Sequence, residues 1–156
     1  MSTLDARIVL VTDRRKRKGN PMLRGPATVN IWADDVEAAK NWYAELLDVQ
    51  PYFERPGNGA PAAYYEFRIG DRQTELGIID RRFAPEGAAT TPGGTVLHWH
   101  VDNVEATLER LLSMGAAPYM PLTEYGPGFV TASVTDPFGN VLGIMYNEHY
   151  LKTLGE

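Results

Sequence analysis

A stretch that begins near residue 28 returns 68 residues later with its acidic and apolar positions preserved. Thr28-Val-Asn-Ile-Trp-Ala-Asp-Asp-Val-Glu-Ala-Ala39 is echoed by Val96-Leu-His-Trp-His-Val-Asp-Asn-Val-Glu-Ala-Thr107. The shift lays Asp34 on Asp102, and Val36-Glu37-Ala38 on Val104-Glu105-Ala106. A repeat of this kind constrains the architecture before any single residue is weighed. Each copy must build the same supersecondary unit and bury its apolar face.

Each copy reads as a strand followed by a helix. Val29, Ile31 and Ala33 alternate with Thr28, Asn30 and Trp32, and Leu97, Trp99 and Val101 alternate with Val96, His98 and His100. That alternation marks a half-buried strand with two different faces. Asp34 with Glu37, and Asp102 with Glu105, have the spacing of an acidic N-cap with Glu three residues on. The first helix presents Val36, Ala39, Tyr43, Leu46 and Leu47 to a core; the second presents Val104, Leu108, Leu111 and Leu112, and stops at Gly115. Three further strands are expected after each helix, near 50–55, 62–69 and 73–79, then near 117–122, 129–135 and 141–146. Gly70-Asp71 and Asp136-Pro-Phe-Gly-Asn140 supply the last turn of each half. The expected fold is therefore α+β: two tandem βαβββ modules, each a four-stranded sheet with one helix packed on it, forming a shared cleft. The boundaries are a basic extension at 1–24, a first module at 25–83, a linker at 84–94, a second module at 95–150 and a tail at 151–156.

Composition narrows the setting. A chain of 156 residues buries roughly 70% of its unfolded surface and needs no staple to fold. It has no cysteine, which excludes disulfides and Cys-ligated zinc or iron–sulfur centres and suits a reducing compartment. No apolar run approaches the roughly 20 residues of a membrane span. The early apolar stretch from Ala6 to Val11 precedes the basic run instead of following it, unlike a secretory signal. A cytoplasmic location is expected, with no membrane partner.

The net charge of −5 conceals an asymmetry. Residues 1–24 hold seven of the 15 basic and two of the 20 acidic side chains, leaving a body of −10. The run Arg14 to Lys18 reads as a solvated arm, because no basic stripe or aromatic platform accompanies it. Met22, just after it, is a candidate alternative start. An acidic body argues against a nucleic-acid partner and favours neutral or cationic ligands.

Asp35-Val-Glu-Ala-Ala-Lys-Asn-Trp-Tyr43 with Leu46-Leu47, and Thr135-Asp-Pro-Phe-Gly-Asn-Val-Leu142, resemble two motifs of the vicinal oxygen chelate superfamily, which includes glyoxalase, bleomycin resistance proteins and dioxygenases. The resemblance covers about residues 25–150. It implies paired βαβββ modules around a U-shaped cleft and a homodimer. Metal-dependent members of that superfamily ligate a divalent ion from the first and last strands of each module. The matching first-strand positions here are Thr28 and Val96. The last-strand position of the second half is Gly143, and its partner in the first half is Glu75 or Gly77, depending on the register. This donor set does not supply a metal site of the usual kind.

Parity places Trp32, Asn30, His98, His100, Glu75 and Met145 on the cleft side as ligand-binding candidates. The middle strand, with Tyr64, Glu66 and Arg68 on one face and Tyr65, Phe67 and Ile69 on the other, has no assignable inward side. The first functional expectation is a metal-free, cofactor-free protein that binds a small aromatic or cationic compound, with catalytic residues unassigned. The alternative is a metal-dependent lyase, isomerase or dioxygenase with one divalent ion on His98, His100 and Glu75. A third reading is an interaction module that engages a partner through its basic arm. His149 is read as structural or exposed.

Overall fold

The computed structural model describes residues 22–57 and 60–156. The run Arg14 to Lys18 lies outside the described residues. The first module comprises β1 (Thr28–Ala33), α1 (Val36–Leu47), β2 (Phe53–Gly57), β3 (Ala60–Ile69) and β4 (Thr74–Asp80). The second comprises β5 (His98–His100), α2 (Val104–Ser113), β6 (Ala117–Glu124), β7 (Phe129–Thr135) and β8 (Val141–Asn147). Each half forms a four-stranded mixed sheet, ordered β1-β4-β3-β2 and β5-β8-β7-β6. In both, the first strand pairs in parallel with the last and the other pairings are antiparallel. The βαβββ repeat is thus present twice.

Each helix covers one face of its own sheet. Val36, Ala39, Tyr43 and Ala44 of α1 bury against Ala33, Tyr65, Phe67, Leu76 and Ile78. Val104 and Leu111 of α2 bury against Ala132, Val134, Leu142 and Ile144. Burying each of the Val, Leu, Ile and Phe side chains among them stabilises by about 1.5–3 kcal/mol. Trp42, Leu46 and Trp99 pack against both cores, so the modules join through their helix-covered sides.

The turn Asp136–Asn140 secures that joint. Tyr43 Oη donates to Asp136 Oδ2 at 2.6 Å, and both residues are only 3% exposed. The Asp136 carboxylate also accepts from the backbone N–H of Phe138 and of Asn140, so a buried acidic side chain is fully bonded. Asn140 reaches the outer edge of β1. Its Nδ2 donates to Trp32 O at 3.0 Å, and its Oδ1 accepts from Trp32 N at 3.2 Å. The side-chain amide thereby imitates a neighbouring strand.

Several local expectations are corrected. The N-caps are Asp35 and Asn103, one residue beyond Asp34 and Asp102, because their side chains accept from the N–H groups of Ala38 and Ala106 three residues on. Asp34 instead pairs with Arg81 at 3.1 Å. The first strand of the second half is shorter than its alternation suggested. Residues 148–154 form a helix, α3 (Glu148–Leu154), that crosses the boundary drawn at residue 150. Its signals were in the sequence: Asn147 caps it, Lys152 pairs with Glu148 at 2.7 Å, and Gly155 ends it at φ 90°. A short 3-10 turn, Arg81–Phe83, follows β4. Among the described residues, no helix is long and apolar enough to cross a membrane.

Candidate functional site

The core fixes the parity of β3. Tyr65, Phe67 and Ile69 lie under α1, which turns Tyr64, Glu66 and Arg68 to the open face of the first sheet. Cross-strand partners share a face, so Phe53 and Arg55 from β2, and Glu75, Gly77 and Ile79 from β4, lie there too. Thr28, Asn30 and Trp32 complete it from β1. A hollow of about 570 Å³ opens on this face, lined by Phe53, Arg55, Pro56, Ala63, Tyr64, Ile79 and Phe83. Phe53 and Phe83 are 48% and 62% exposed, unusual for large apolar rings. Phe53 meets Tyr64 edge-on, with centroids 6.1 Å apart.

Beside the aromatic wall lies a hydroxyl–carboxylate group. Glu75 accepts from Thr28 Oγ1 and from Tyr52 Oη, both at 2.9 Å. Tyr64 Oη donates to Glu66. The Arg68 guanidinium lies 4.3 Å from the centroid of the Tyr52 ring. Partial burial, and then the adjacent Glu75 carboxylate, hold the Glu66 carboxyl above its ordinary 4.5, with Arg68 opposing. The Tyr64 phenol is raised for the same two reasons. Two carboxylates, Glu66 and Glu75, and two guanidiniums, Arg55 and Arg68, share this face, with Arg55 bordering the hollow itself.

Gly77 forms the floor. A Cβ there would run into the Asn30 amide and the Tyr64 ring. The absent side chain therefore lets Asn30 and Tyr64 lie flat across β4. Gly143 holds the corresponding place in the second sheet, opposite His98. Because Asn30 pairs with Gly77 and His98 with Gly143, the ladders equate the two glycines and set Glu75 two residues earlier.

The residues singled out from the sequence fall into three places. Asn30 and Trp32 line a hollow of about 210 Å³ with Arg81, the linker and Asn140. His98, His100 and Met145 line another, of about 280 Å³, with Asp71, Asn147 and Tyr150. Val29 and Leu97 line both, so these hollows follow the seam where the edges of β1 and β5 approach each other. Glu75 stands apart from the histidines, on the open face of the first sheet. His149 meets the Phe129 ring edge-on at 4.9 Å.

The metal positions implied by the resemblance can be tested on this geometry. Thr28 offers a hydroxyl already given to Glu75, and Val96 offers no donor. Gly77 offers none, and a Cβ at Gly143 would lie 2.7 Å from Leu97 O. The residues present do not fit a divalent ion at that place. Among the described residues, no group of three or more His, Asp or Glu side chains is arranged to hold one.

A family model described as "Glyoxalase/Bleomycin resistance protein/Dioxygenase superfamily" matches residues 25–144. The chain belongs to this superfamily. No curated protein matches it by sequence. Solved structures of the superfamily fold do. A glyoxalase-related enzyme from Fulvimarina pelagi is 21% identical, with 80% of this chain and 89% of that one covered at a TM-score of 0.62. A lactoylglutathione lyase from Agrobacterium tumefaciens is 17% identical, with 79% and 93% covered at 0.59. TnmS3, an antibiotic binding protein from Streptomyces sp. CB03234, is 24% identical, with 80% and 97% covered at 0.57. At these identities the likeness is one of fold. The superfamily therefore fixes the scaffold, and the chemistry must be argued from the side chains.

Phe53, Phe83, Tyr52, Tyr64 and Glu66 were not among the site residues drawn from the sequence. Tyr64 and Glu66 were hidden by the undecided parity of β3. Phe83 lies in a 3-10 turn that carries no periodic signal, and Phe53 lies in a strand that starts three residues later than expected.

Proposed function

We propose that this protein binds a small, planar, cationic aromatic compound on the open face of its first sheet, without a metal ion, and sequesters it instead of transforming it. The observation that carries this reading is the hollow walled by Phe53, Tyr64 and Phe83 beside the Glu66–Glu75 pair. Ring faces attract a flat cation through their quadrupole, and the carboxylates complement its charge. Arg55 and Arg68 lie on the same face, so a ligand gains most with its cationic nitrogen over Glu66 and its ring system toward Phe83. TnmS3, a protein of like fold, is an antibiotic binding protein, which supports small-molecule binding on this scaffold.

The face of the second sheet turned away from α2 carries His98, His100, Val141, Gly143, Met145, Thr131, Ser133 and Thr135, with no Asp, Glu, Lys or Arg among them, and Ser133 there is buried. The outer strand β6 exposes Tyr119, Met120 and Leu122. The exposed β6 side chains support a homodimer in which a second copy shields apolar surface, with light scattering as the check. The cysteine-free composition suits a cytoplasmic setting.

Trp32 is in register with Ile79, which lines the hollow, and itself lines the neighbouring hollow on the seam. Titration with a panel of planar cationic antibiotics is expected to quench tryptophan fluorescence saturably for at least one, with Phe53→Ala and Tyr64→Ala, whose side chains line the hollow, removing the response. No saturable response to any compound of the panel would contradict the proposal.

A further inference from the structure

Two hollows meet at His100. The outer one, about 280 Å³, is bordered by Asp71, Arg72, Asn147 and Tyr150. The inner one, about 230 Å³, runs between the modules and is walled by Leu46, Leu76, Leu111, Leu142 and Ile144. They share Ile69, Gly70, Trp99 and His100. The inner wall includes no charged side chain.

The His100 side chain is 9% exposed and tightly fixed. Its Nδ1 accepts the N–H of Asn147 at 3.1 Å, which leaves the proton of the neutral ring on Nε2. Tyr150 stacks on the ring at 5.0 Å and 26°, Tyr146 leans on it at 5.4 Å, and Tyr150 Oη is itself anchored on Asp71 at 2.8 Å. Nε2 is buried and has no hydrogen-bond partner among the described residues. The carboxylate of Asp102 lies 3.7 Å away, too far for a hydrogen bond, and is itself 98% exposed. A buried N–H is normally satisfied, so a fixed donor without a partner, on a residue that borders both hollows, is a feature that needs an acceptor.

We propose that the space between the modules is a second ligand site, separate from the open face, and that it takes an uncharged single-ring compound carrying an oxygen acceptor. The ring occupies the inner apolar hollow, and a carbonyl or ether oxygen accepts from His100 Nε2. An apolar cavity of roughly 150 Å³ holds benzene, so the inner space suits one ring with a short substituent. Asp102 beside Nε2 and Asp71 at the outer rim repel a carboxylate, and Arg72 on that rim is exposed and outside the inner wall. An ionised ligand would lose its hydration among the leucines with nothing to replace it. A neutral aldehyde, ketone or aryl ether is the chemistry that fits.

The test uses the full chain with acetophenone and its hydrocarbon counterpart ethylbenzene, followed by histidine-ring nitrogen NMR. Three histidines make that spectrum assignable by single substitution. Acetophenone is expected to shift the His100 Nε2 resonance saturably while leaving His98 and His149 in place, and to bind about fivefold more tightly than ethylbenzene. His100→Phe should abolish that preference, and Tyr64→Ala, on the open face, should leave it intact. No ring shift at millimolar acetophenone, or equal affinity for the two probes, would overturn the site. These two readings come from the unsubstituted protein and do not depend on the variant folding. Loss of acetophenone binding in Tyr64→Ala would show that the two sites are one.

Discussion

Gly143 and Gly77 occupy matching places in the two sheets but are held there by different neighbours. A Cβ at Gly143 would meet the Leu97 carbonyl at 2.7 Å and Val96 at 2.9 Å, whereas one at Gly77 would meet only the side chains of Asn30 and Tyr64. Backbone cannot swing aside and side chains can. Gly143→Ala is therefore expected to cost about 1–3 kcal/mol in urea unfolding, and Gly77→Ala clearly less. Gly77→Ala should instead weaken ligand binding, because Tyr64 must leave its place. Glu66 gives a second prediction at this scale. Its carboxyl is held above 4.5 by partial burial and by Glu75, so it remains partly protonated at pH values where an ordinary glutamate is charged. Affinity for a cationic compound should rise as pH increases from 4.5 through the Glu66 titration and then level off. Glu66→Gln should lower the plateau about tenfold and flatten that dependence, as calorimetry at several pH values would show.

Among the elements, α3 has no fully buried residue, and the Asp136–Asn140 turn is held by Tyr43, by Phe138 packed against the first core and by its own hydrogen bonds. Asn147 accepts from the N–H groups of His149 and Tyr150. Asn147→Ala should cost about 1 kcal/mol and raise hydrogen exchange across 148–154, releasing Tyr150 from His100. Asn140→Ala removes two hydrogen bonds to the β1 edge and should loosen the joint between modules by about 1–3 kcal/mol. Both helices of the repeat, and the strands that follow them, were legible in the sequence, because apolar periodicity and turn chemistry act within a dozen residues. The caps were read one residue early, since Asp34 and Asp35 are both acidic and only the geometry shows which one turns back on the helix. The helix α3 went unread because seven residues carry too little periodicity to stand out.

At the scale of the whole molecule, the duplication set the architecture and left the site open. The tandem modules follow from the repeat. Which face of β3 lines the aromatic hollow depends on packing against α1, a long-range fact that alternation alone cannot give. The histidines and Glu75, grouped by strand parity, belong to different sheets, with the histidines on the seam and Glu75 among Thr28 and Tyr52. The proposed binding of a flat cation rests on the aromatic hollow of the first sheet. The most direct measurement is a set of intermolecular nuclear Overhauser contacts between the ring protons of a bound planar cation and the protein. Contacts to Phe53, Tyr64 and Phe83 are predicted. A ligand that shows contacts only to Trp32, His98 or Met145 along the seam would contradict it.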